Sequence, residues 1–355
     1  MEPDALVGMS EIAQLARVTK QAVANWRDRS PDFPKPIAKL KQGPVWQLRD
    51  VVEWAKEKDI AVNVPEGAAT TAEATSEALV IAMLNMKGGV GKSTLTANLG
   101  WYFAHMKDKK VLVVDTDPQF NTSQYALGVE AYLKRIQSRA PTIVDIFEQH
   151  TPSANGGQKK LRPEEVICNV RTWRGGGKLD LVPSRLQLSW VLKNPHGKER
   201  LLAGFAESVS SEYDIVLIDC PPTESMLTEA AYFACDYVLV PVKPEFLATI
   251  GLPLLGQSMR EFEDKEGREI QLAGIVFNAT QATAEQTKAK SDVRKLAREQ
   301  SWYIFKNEIS YSASYPSGAR QGRPIYLTDY ARSSRVDEFR SFAGELMERL
   351  EINAD

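Results

Sequence analysis

The chain has few cysteines and no long apolar run. Its 355 residues include only three cysteines, none of them in a CxxC pair, which argues against a disulfide framework or a zinc finger. The longest unbroken apolar run is Ala78–Leu84, and seven residues are too few to span a membrane. Glu2 and Asp4 stand where a secretory leader carries positive charge, so we expect a cytoplasmic protein.

The chain also lacks an overall excess of charge, since 44 basic and 46 acidic residues leave a net charge of −2. The distribution is uneven, however. Between Arg17 and Arg49 there are eight basic and two acidic residues, so this window has a net charge of +6. A basic window inside a slightly acidic protein is where a nucleic-acid contact is expected. With 43% hydrophobic residues and a length of about two domains, the chain can also build a sizeable core.

The composition changes twice along the chain and predicts two domains joined by a linker. Residues 1–60 form the first predicted domain, within which residues 9–59 are basic and have a short-helix pattern. Residues 61–78 contain six alanines, four serines or threonines and three glutamates but no lysine or arginine, which predicts a flexible linker. Residues 79–355 contain short apolar runs separated by amphipathic stretches.

These apolar runs predict an α/β fold with a doubly wound, mostly parallel sheet. Each run is rich in valine, isoleucine and leucine with little polar alternation, as expected for strands buried on both faces. Alternation of such strands with helices favours parallel pairing. The predicted strands are residues 79–84, 111–115, 179–183, 214–219, 237–242 and 272–278, and the predicted helices are residues 93–106, 199–208, 228–234 and 282–300.

A glycine-rich segment, KGGVGKST, follows the first of these strands and precedes a helix. Such a turn directs backbone N–H groups at one point, and the helix N-terminus and Lys92 add positive charge there. The hydroxyl of Ser93 is placed to bind Mg²⁺. The segment therefore predicts a nucleotide-phosphate site formed by Lys87, Gly88, Gly89, Val90, Gly91, Lys92, Ser93 and Thr94.

The segment departs from the ordinary phosphate-loop pattern, because Met86 stands where a glycine is usual and Lys87 follows it. In this it resembles the deviant Walker A loop of the ParA/MinD ATPase family. The resemblance implies a P-loop NTPase fold, a weak Mg²⁺-dependent ATPase activity, and ATP and Mg²⁺ as cofactors. It also implies that Lys87 reaches the partner's phosphates in an ATP-bound homodimer.

Two further strand ends carry carboxylates. In a parallel sheet, such groups next to a phosphate loop face the Mg²⁺ and the γ-phosphate. Asp219 ends a strand of Walker B form, and Asp115 begins a segment similar to the family's DxDPQxN switch. The resemblance implies that Asp117 organises the attacking water and that the Asn278 side chain contacts the adenine. Catalytic roles thus fall on Lys87, Lys92 and Asp117, and metal binding on Ser93, Asp115 and Asp219.

Other branches of the family fit less well. A MinD-like protein ends in a basic amphipathic helix that binds membrane, whereas residues 333–355 are acidic, so we expect no membrane partner. An iron–sulfur cluster shared across a dimer needs paired cysteines, and Cys168, Cys220 and Cys235 do not stand at matching places.

DNA is the expected partner of the ATPase domain. Lys290, Arg294 and Arg298 are spaced four residues apart and form a basic stripe on a predicted helix. Together with Arg320 and Arg323 they could bind phosphates without reading sequence, and a solvated helix face is the alternative interpretation.

The first 60 residues have the pattern of a helix-turn-helix. Ser10 and Thr19 are good N-caps for two short helices, 11–16 and 20–27. The segments DFPKP (32–36) and GPVW (43–46) and a helix over 49–56 follow, and together they resemble the winged helix-turn-helix of MerR and excisionase proteins. The second helix would present Lys20, Gln21, Asn25 and Arg27 to DNA. A small helical docking domain is the alternative.

The whole chain thus resembles a plasmid-type ParA, a nucleoid-associated DNA partition ATPase. The resemblance implies an ATP-bound dimer on non-specific DNA, hydrolysis stimulated by a ParB-like centromere-binding protein, and operator binding by the N-terminal domain for autoregulation. Two other functions stay open at this stage, an ATP-sensing transcriptional regulator and an ATPase that positions protein cargo.

Overall fold

The computed structural model describes residues 6–9, 12–13, 16, 23, 26–27, 30, 33–40, 43–58, 77–148 and 161–352. The chain divides into two compact units, Met1–Thr75 and Ser76–Asp355. Among the helices of the described ranges, none combines the length and the apolar character that a membrane crossing needs.

The first unit contains a small antiparallel sheet and a helix. The elements are β1 (Leu6–Gly8), β2 (Ala38–Leu40), β3 (Gly43–Gln47) and α1 (Leu48–Glu57), with β3 in the centre of the sheet. Trp46 is fully buried, and its indole N–H donates to the Pro34 carbonyl at 2.8 Å. The Phe33 ring packs edge-on against Trp46 and Trp54. This unit therefore has an aromatic core of its own.

The two predicted helices of this unit fall only partly on described residues. Met9, Ile12, Ala13, Val23, Trp26 and Arg27 are helical, and Ile12 and Val23 are buried, as the apolar spacing predicts. Arg27 is exposed, and its guanidinium donates to the Met9 sulfur at 3.9 Å. Lys20, Gln21 and Asn25, the other predicted DNA contacts, lie outside the described residues.

The second unit contains a seven-stranded sheet of order β10-β9-β4-β8-β5-β7-β6. Every neighbouring pair is parallel except β6 with β7. The strands are β4 (Leu79–Met83), β5 (Lys110–Asp115), β6 (Cys168–Thr172), β7 (Lys178–Val182), β8 (Ile215–Asp219), β9 (Tyr237–Val242) and β10 (Gln271–Phe277). The mostly parallel α/β sheet predicted from the sequence is confirmed.

Helices cover both faces of this sheet. They are α2 (Lys92–Met106), α3 (Asn121–Leu127), α4 (Val129–Gln137), α5 (Ile143–Glu148), α6 (Pro163–Val166), α7 (Leu188–Val191), α8 (Leu201–Val209), α9 (Met226–Ala234), α10 (Ala248–Glu266), α11 (Ala284–Glu299), α12 (Ser314–Gln321) and α13 (Ser333–Arg349). On β4, Val80 and Ala82 enter one buried apolar cluster, while Ile81 and Met83 enter the other. Burial on both faces explains why these strands have continuous apolar sequences.

Several elements of this unit were not predicted, among them the short helices α3 to α7 and α12, strand β6 and helix α10. Strand β6 pairs antiparallel at the edge of the sheet and is mostly exposed, so it lacks an apolar run. Helix α10 contains Gly251 and Pro253, both poor helix formers, which hid it in the sequence. The topology nevertheless brings the loops after β4, β5, β7, β8 and β9 to one edge of the sheet, called the carboxyl edge below.

Candidate nucleotide site

The glycine-rich segment forms the loop between β4 and α2, as predicted. Gly89 and Gly91 have φ angles of +74° and +94°, a region that side chains rarely adopt. A Cβ at Gly91 would also lie 2.1 Å from the side-chain nitrogen of Asn278. Glycine is therefore required at position 91 for two reasons, the backbone angle and the lack of space.

Lys92 is the first residue of α2, and its ammonium group turns back into the loop. The residue is 6% exposed, and its Nζ donates to the carbonyl oxygens of Asn85 at 3.0 Å and Lys87 at 3.2 Å. Burial lowers the pKa of Lys92, and the nearby carboxylates of Asp219 and Asp117 oppose that shift. A positive group held inside the loop is suited to binding phosphate.

Asp219 is the last residue of β8 and is completely buried. Its Oδ2 accepts a hydrogen bond from the Thr122 hydroxyl at 2.6 Å, whereas Oδ1 is buried with no hydrogen-bond partner in the described part of the chain. Burial raises the pKa of Asp219 to about 6. An ionised oxygen left without a partner is costly, and a divalent cation would satisfy it. With the Ser93 hydroxyl at the start of α2, these oxygen donors fit Mg²⁺.

Asp115 has a different environment although it is equally buried. Its Oδ1 accepts from the Asp117 N–H at 3.1 Å, and its Oδ2 accepts from the Ser123 N–H at 2.8 Å and hydroxyl at 2.6 Å. Burial and the neighbouring Asp219 raise its pKa well above the usual range. Both oxygens of Asp115 thus hold the segment 117–123 in place, and its role at a metal stays a prediction.

Asp117 lies in this segment, near the loop. Its Oδ1 accepts from the Gln119 N–H at 2.9 Å, and its carbonyl accepts from the Ser184 hydroxyl at 2.7 Å. Burial raises the pKa of Asp117, while the Gln119 N–H and the Lys92 charge oppose the rise. Phe120 has a φ of +48° and stacks on Tyr132 with ring centroids 5.3 Å apart, which fixes the end of the turn.

Ser184 is a site residue that sequence reasoning missed. It is fully buried just beyond the end of β7, where its N–H donates to the Ser123 hydroxyl at 2.8 Å. Its own carbonyl accepts from the Tyr132 hydroxyl at 3.1 Å. Its position after a parallel strand could have pointed to it, but its partners are more than fifty residues away in sequence.

Asn278 follows β10 and lies against the loop. Its side-chain nitrogen donates to the Val90 carbonyl at 2.8 Å, and the residue is 7% exposed. This contact supports the glycine-rich loop from the side. A contact of Asn278 with adenine stays a prediction.

Lys87 turns away from the loop interior. Its Nζ lies 2.5 Å from Oε2 of Glu245, and Lys243 lies equally close to the other carboxylate oxygen. The two lysines lower the pKa of Glu245. Lys87 is therefore placed at the rim of the site, paired with a residue that the sequence did not single out.

Comparison with known proteins identifies the family. A family model described as an AAA domain matches residues 78–272, which contain the loop, Asp117 and Asp219. The chromosome partitioning protein ParA of Caulobacter vibrioides is 29% identical over 268 residues, covering 74% of this chain and 84% of its own length. This chain belongs to the ParA/MinD-type P-loop ATPase family.

Solved structures show the same ParA/MinD-type fold. An ATP complex of McdA from Cyanothece superimposes with a TM-score of 0.63 at 20% identity, covering 78% of this chain and 98% of McdA. Cobyrinic acid a,c-diamide synthase from Mycobacterium smegmatis, with a bound ATP analogue and magnesium, gives 0.57 at 22%, covering 77% and 96%. The site of this family member fits ATP and Mg²⁺.

The structure divides the five predicted DNA-binding residues in the second unit of this ParA/MinD-type chain into two groups. Lys290 and Arg294 on α11 both pair with Glu308 and lie over the Phe277 ring. In the described ranges, the other three predicted residues are exposed and form no ion pair: Arg298, Arg320 and Arg323. The basic stripe is thus partly neutralised.

Proposed function

We propose that the chain is a Mg²⁺-dependent ATPase of DNA partition that converts ATP and water to ADP and phosphate with weak intrinsic activity. The observation that carries the enzymatic part is the buried Asp219, whose Oδ1 has no hydrogen-bond partner among the described residues, next to the Lys92 loop. Family membership and the relative described as a chromosome partitioning protein support the biological part.

In this proposal, the loop N–H groups and Lys92 bind the phosphates of ATP. Ser93 and Asp219 would hold Mg²⁺, which when bound supplies positive charge to the transferring phosphoryl group. Asp117 orients the attacking water, and Asp115 and Ser184 fix the segment that carries it. Lys87 adds a positive charge across an ATP-bound homodimer, as an arginine finger does.

The ATP-bound dimer binds non-specific DNA through phosphate contacts and works with a ParB-like partner that stimulates hydrolysis. Arg298, Arg320 and Arg323 are the more accessible cations for this contact, since Lys290 and Arg294 are paired with Glu308. The first unit serves as a winged helix-turn-helix that binds operator DNA, which the antiparallel β2–β3 pair and the basic window support.

ATP hydrolysis by the full chain, with and without random-sequence duplex DNA, tests this function. We expect slow Mg²⁺-dependent turnover. We also expect the chain to bind DNA in the presence of ATP and to bind it more weakly in the presence of ADP. In the variant Asp117→Ala we expect turnover to be lost while ATP-dependent DNA binding remains, whereas the exposed carboxylate variant Asp264→Ala should behave as the wild type. Normal turnover in Asp117→Ala would remove the assignment of the switch. A chain that binds nucleotide but shows neither turnover nor nucleotide-dependent binding to random-sequence DNA would favour the ATP-sensing regulator.

A further inference from the structure

Two consecutive residues at the start of α3 bond to two different carboxylates. The Thr122 hydroxyl donates to Oδ2 of Asp219 at 2.6 Å, and the Ser123 hydroxyl donates to Asp115. Asp115 and Asp219 stand opposite each other at the ends of the neighbouring parallel strands β5 and β8. Thr122 is fully buried, so water does not compete for its hydroxyl. Its bond therefore joins the carboxylate that fits Mg²⁺ to the segment that carries Asp117.

A second threonine bonds Asp219 in a different way. The N–H and the hydroxyl of Thr116 both donate to the main-chain carbonyl of Asp219, at 2.9 Å and 2.8 Å. These bonds fix the end of the strand but do not restrain the carboxylate. The Thr122 bond acts on the carboxylate itself. With Oδ2 held, the carboxylate cannot rotate freely, and Oδ1 stays the oxygen that has no hydrogen-bond partner among the described residues.

The Thr122 hydroxyl also lies beside the first turn of α2. Its oxygen is 3.3 Å from the main-chain carbonyl oxygen of Ser93. A hydroxyl has one proton to donate, and the contact of 2.6 Å with a carboxylate is far stronger than one of 3.3 Å with a carbonyl. Thr122 thus donates to Asp219 while it packs against Ser93, the two residues whose side chains fit Mg²⁺.

We propose that Thr122 is a positioning residue for Mg²⁺. Its hydroxyl holds the Asp219 carboxylate with one oxygen available to the ion, and it transmits the presence of the ion to the segment that carries Asp117. This inference rests on the Mg²⁺-dependent ATPase of the proposed function and adds a residue to it. Hydrogen-bond partners of metal-binding side chains typically contribute about 10–100-fold to metal affinity.

Binding of Mn²⁺, a paramagnetic substitute for Mg²⁺, tests the first part. The full chain is kept in excess over ADP, and free Mn²⁺ is measured by electron paramagnetic resonance. Thr122→Val keeps the shape of the side chain but removes the donor, so it should raise the Mn²⁺ dissociation constant at least about tenfold. Its affinity for a fluorescent ADP analogue in EDTA should equal that of the wild type, which also shows that the variant is folded.

Two further variants serve as controls. Thr122→Ser retains the hydroxyl and should bind Mn²⁺ as the wild type does. Thr328→Val changes another buried threonine, whose hydroxyl donates to the Pro324 carbonyl at 2.9 Å, and it should also bind Mn²⁺ normally.

Hydrogen exchange of the peptide that contains residues 117–123 tests the second part. Adding Mg²⁺ to the ADP-bound wild type should slow this exchange about tenfold, because a fixed Asp219 carboxylate holds the start of α3 through a hydrogen bond to a charged group. In Thr122→Val the same addition should leave the exchange rate nearly unchanged, whereas Thr122→Ser should respond as the wild type does.

The outcomes separate this inference from the proposed function. Normal Mn²⁺ affinity in Thr122→Val would show that Thr122 does not position the metal ligand, and the ATPase would be unaffected. A loss of Mn²⁺ affinity in Thr122→Ser equal to that in Thr122→Val would assign the effect to packing and also overturn the inference. Equal slowing of exchange in Thr122→Val and the wild type would contradict the link to Asp117.

Two remaining results are also decisive. A wild type that binds ADP but no Mn²⁺ would contradict the Mg²⁺ dependence of the proposed function together with this inference. If Thr122→Val does not bind ADP in EDTA, Thr122→Ala takes its place, because it removes the hydroxyl without placing a methyl group against the carboxylate, and the same criteria apply.

Discussion

The carboxyl edge of the sheet and helix α11 both carry charged groups, but these groups meet different neighbours. At the carboxyl edge, Lys92 and Asp219 lie at the glycine-rich loop, and Oδ1 of Asp219 has no hydrogen-bond partner in the described chain. On α11, two of three aligned cations share a single glutamate and an aromatic ring. A site prepared for a ligand keeps binding capacity unused, whereas a stabilising cluster uses it internally. The following predictions test that difference.

The largest effect is expected from Lys92→Ala in the loop. Removing the charged donor should lower nucleotide affinity about 100-fold, because hydrogen bonds to charged groups are among the strongest that a protein makes. Titration with a fluorescent ATP analogue measures the change, and Lys288→Ala on α11 is the control. Equal affinities for the two variants would mean that the loop lysine is no more important than a surface lysine.

The next effect concerns Asp219→Asn. This variant should lower ATP turnover at least about tenfold. It should also raise the free energy of unfolding of the nucleotide-free chain by about 1–2 kcal/mol at pH 8. Because the folded-state pKa of about 6 exceeds the usual value of 3.8, the wild type loses stability as the pH rises from about 4 to 6. The advantage of the variant should therefore be complete above about pH 6 and smaller below it. Urea denaturation at several pH values measures it, with Asp264→Asn as the control. A variant less stable than the wild type at pH 8 would contradict the unused-oxygen interpretation.

A smaller effect is expected from Ser184→Ala, which removes the hydroxyl that holds the Asp117 carbonyl. One lost hydrogen bond of about 1 kcal/mol should lower the turnover number about fivefold while the KM for ATP stays unchanged. Steady-state kinetics measure both constants, and Ser189→Ala, a partly exposed serine with a local bond, is the control. A raised KM with unchanged turnover would place Ser184 in ATP binding instead.

The smallest effect is expected from Glu308→Gln, which frees Lys290 and Arg294. If α11 contacts DNA, affinity for random-sequence duplex should rise about threefold and become more dependent on salt. Fluorescence anisotropy at several salt concentrations measures this, with Glu285→Gln on the same helix as the control. Unchanged affinity and salt dependence would mean that the charged face of α11 is a solvated face. The difference between this helix and the ligand-binding carboxyl edge would then be larger.

Features that depend on neighbouring residues in sequence were predictable. The loop from Lys87 to Thr94 and the apolar strands around it are local patterns, and the structure confirms the loop and the sheet. The contacts of Ser184, Glu245 and Glu308 were not predictable, because each joins segments that only the folded sheet brings together. The basic spacing on α11 was visible, but its neutralising partner follows on a later loop. Helix α10 was hidden because Gly251 and Pro253, both poor helix formers, lie inside it.

The hydrogen bonds of Lys92 to the Asn85 and Lys87 carbonyls have a consequence for the thermodynamics of ligand binding. In the nucleotide-free chain two of the three N–H donors of this ammonium group already have carbonyl acceptors, and the third is available to a phosphate oxygen. Any further phosphate contact of Lys92 is then an exchange of acceptors rather than a simple gain. The heat measured by calorimetry is accordingly a difference between two sets of bonds, and we expect it to be smaller than the number of new phosphate contacts suggests.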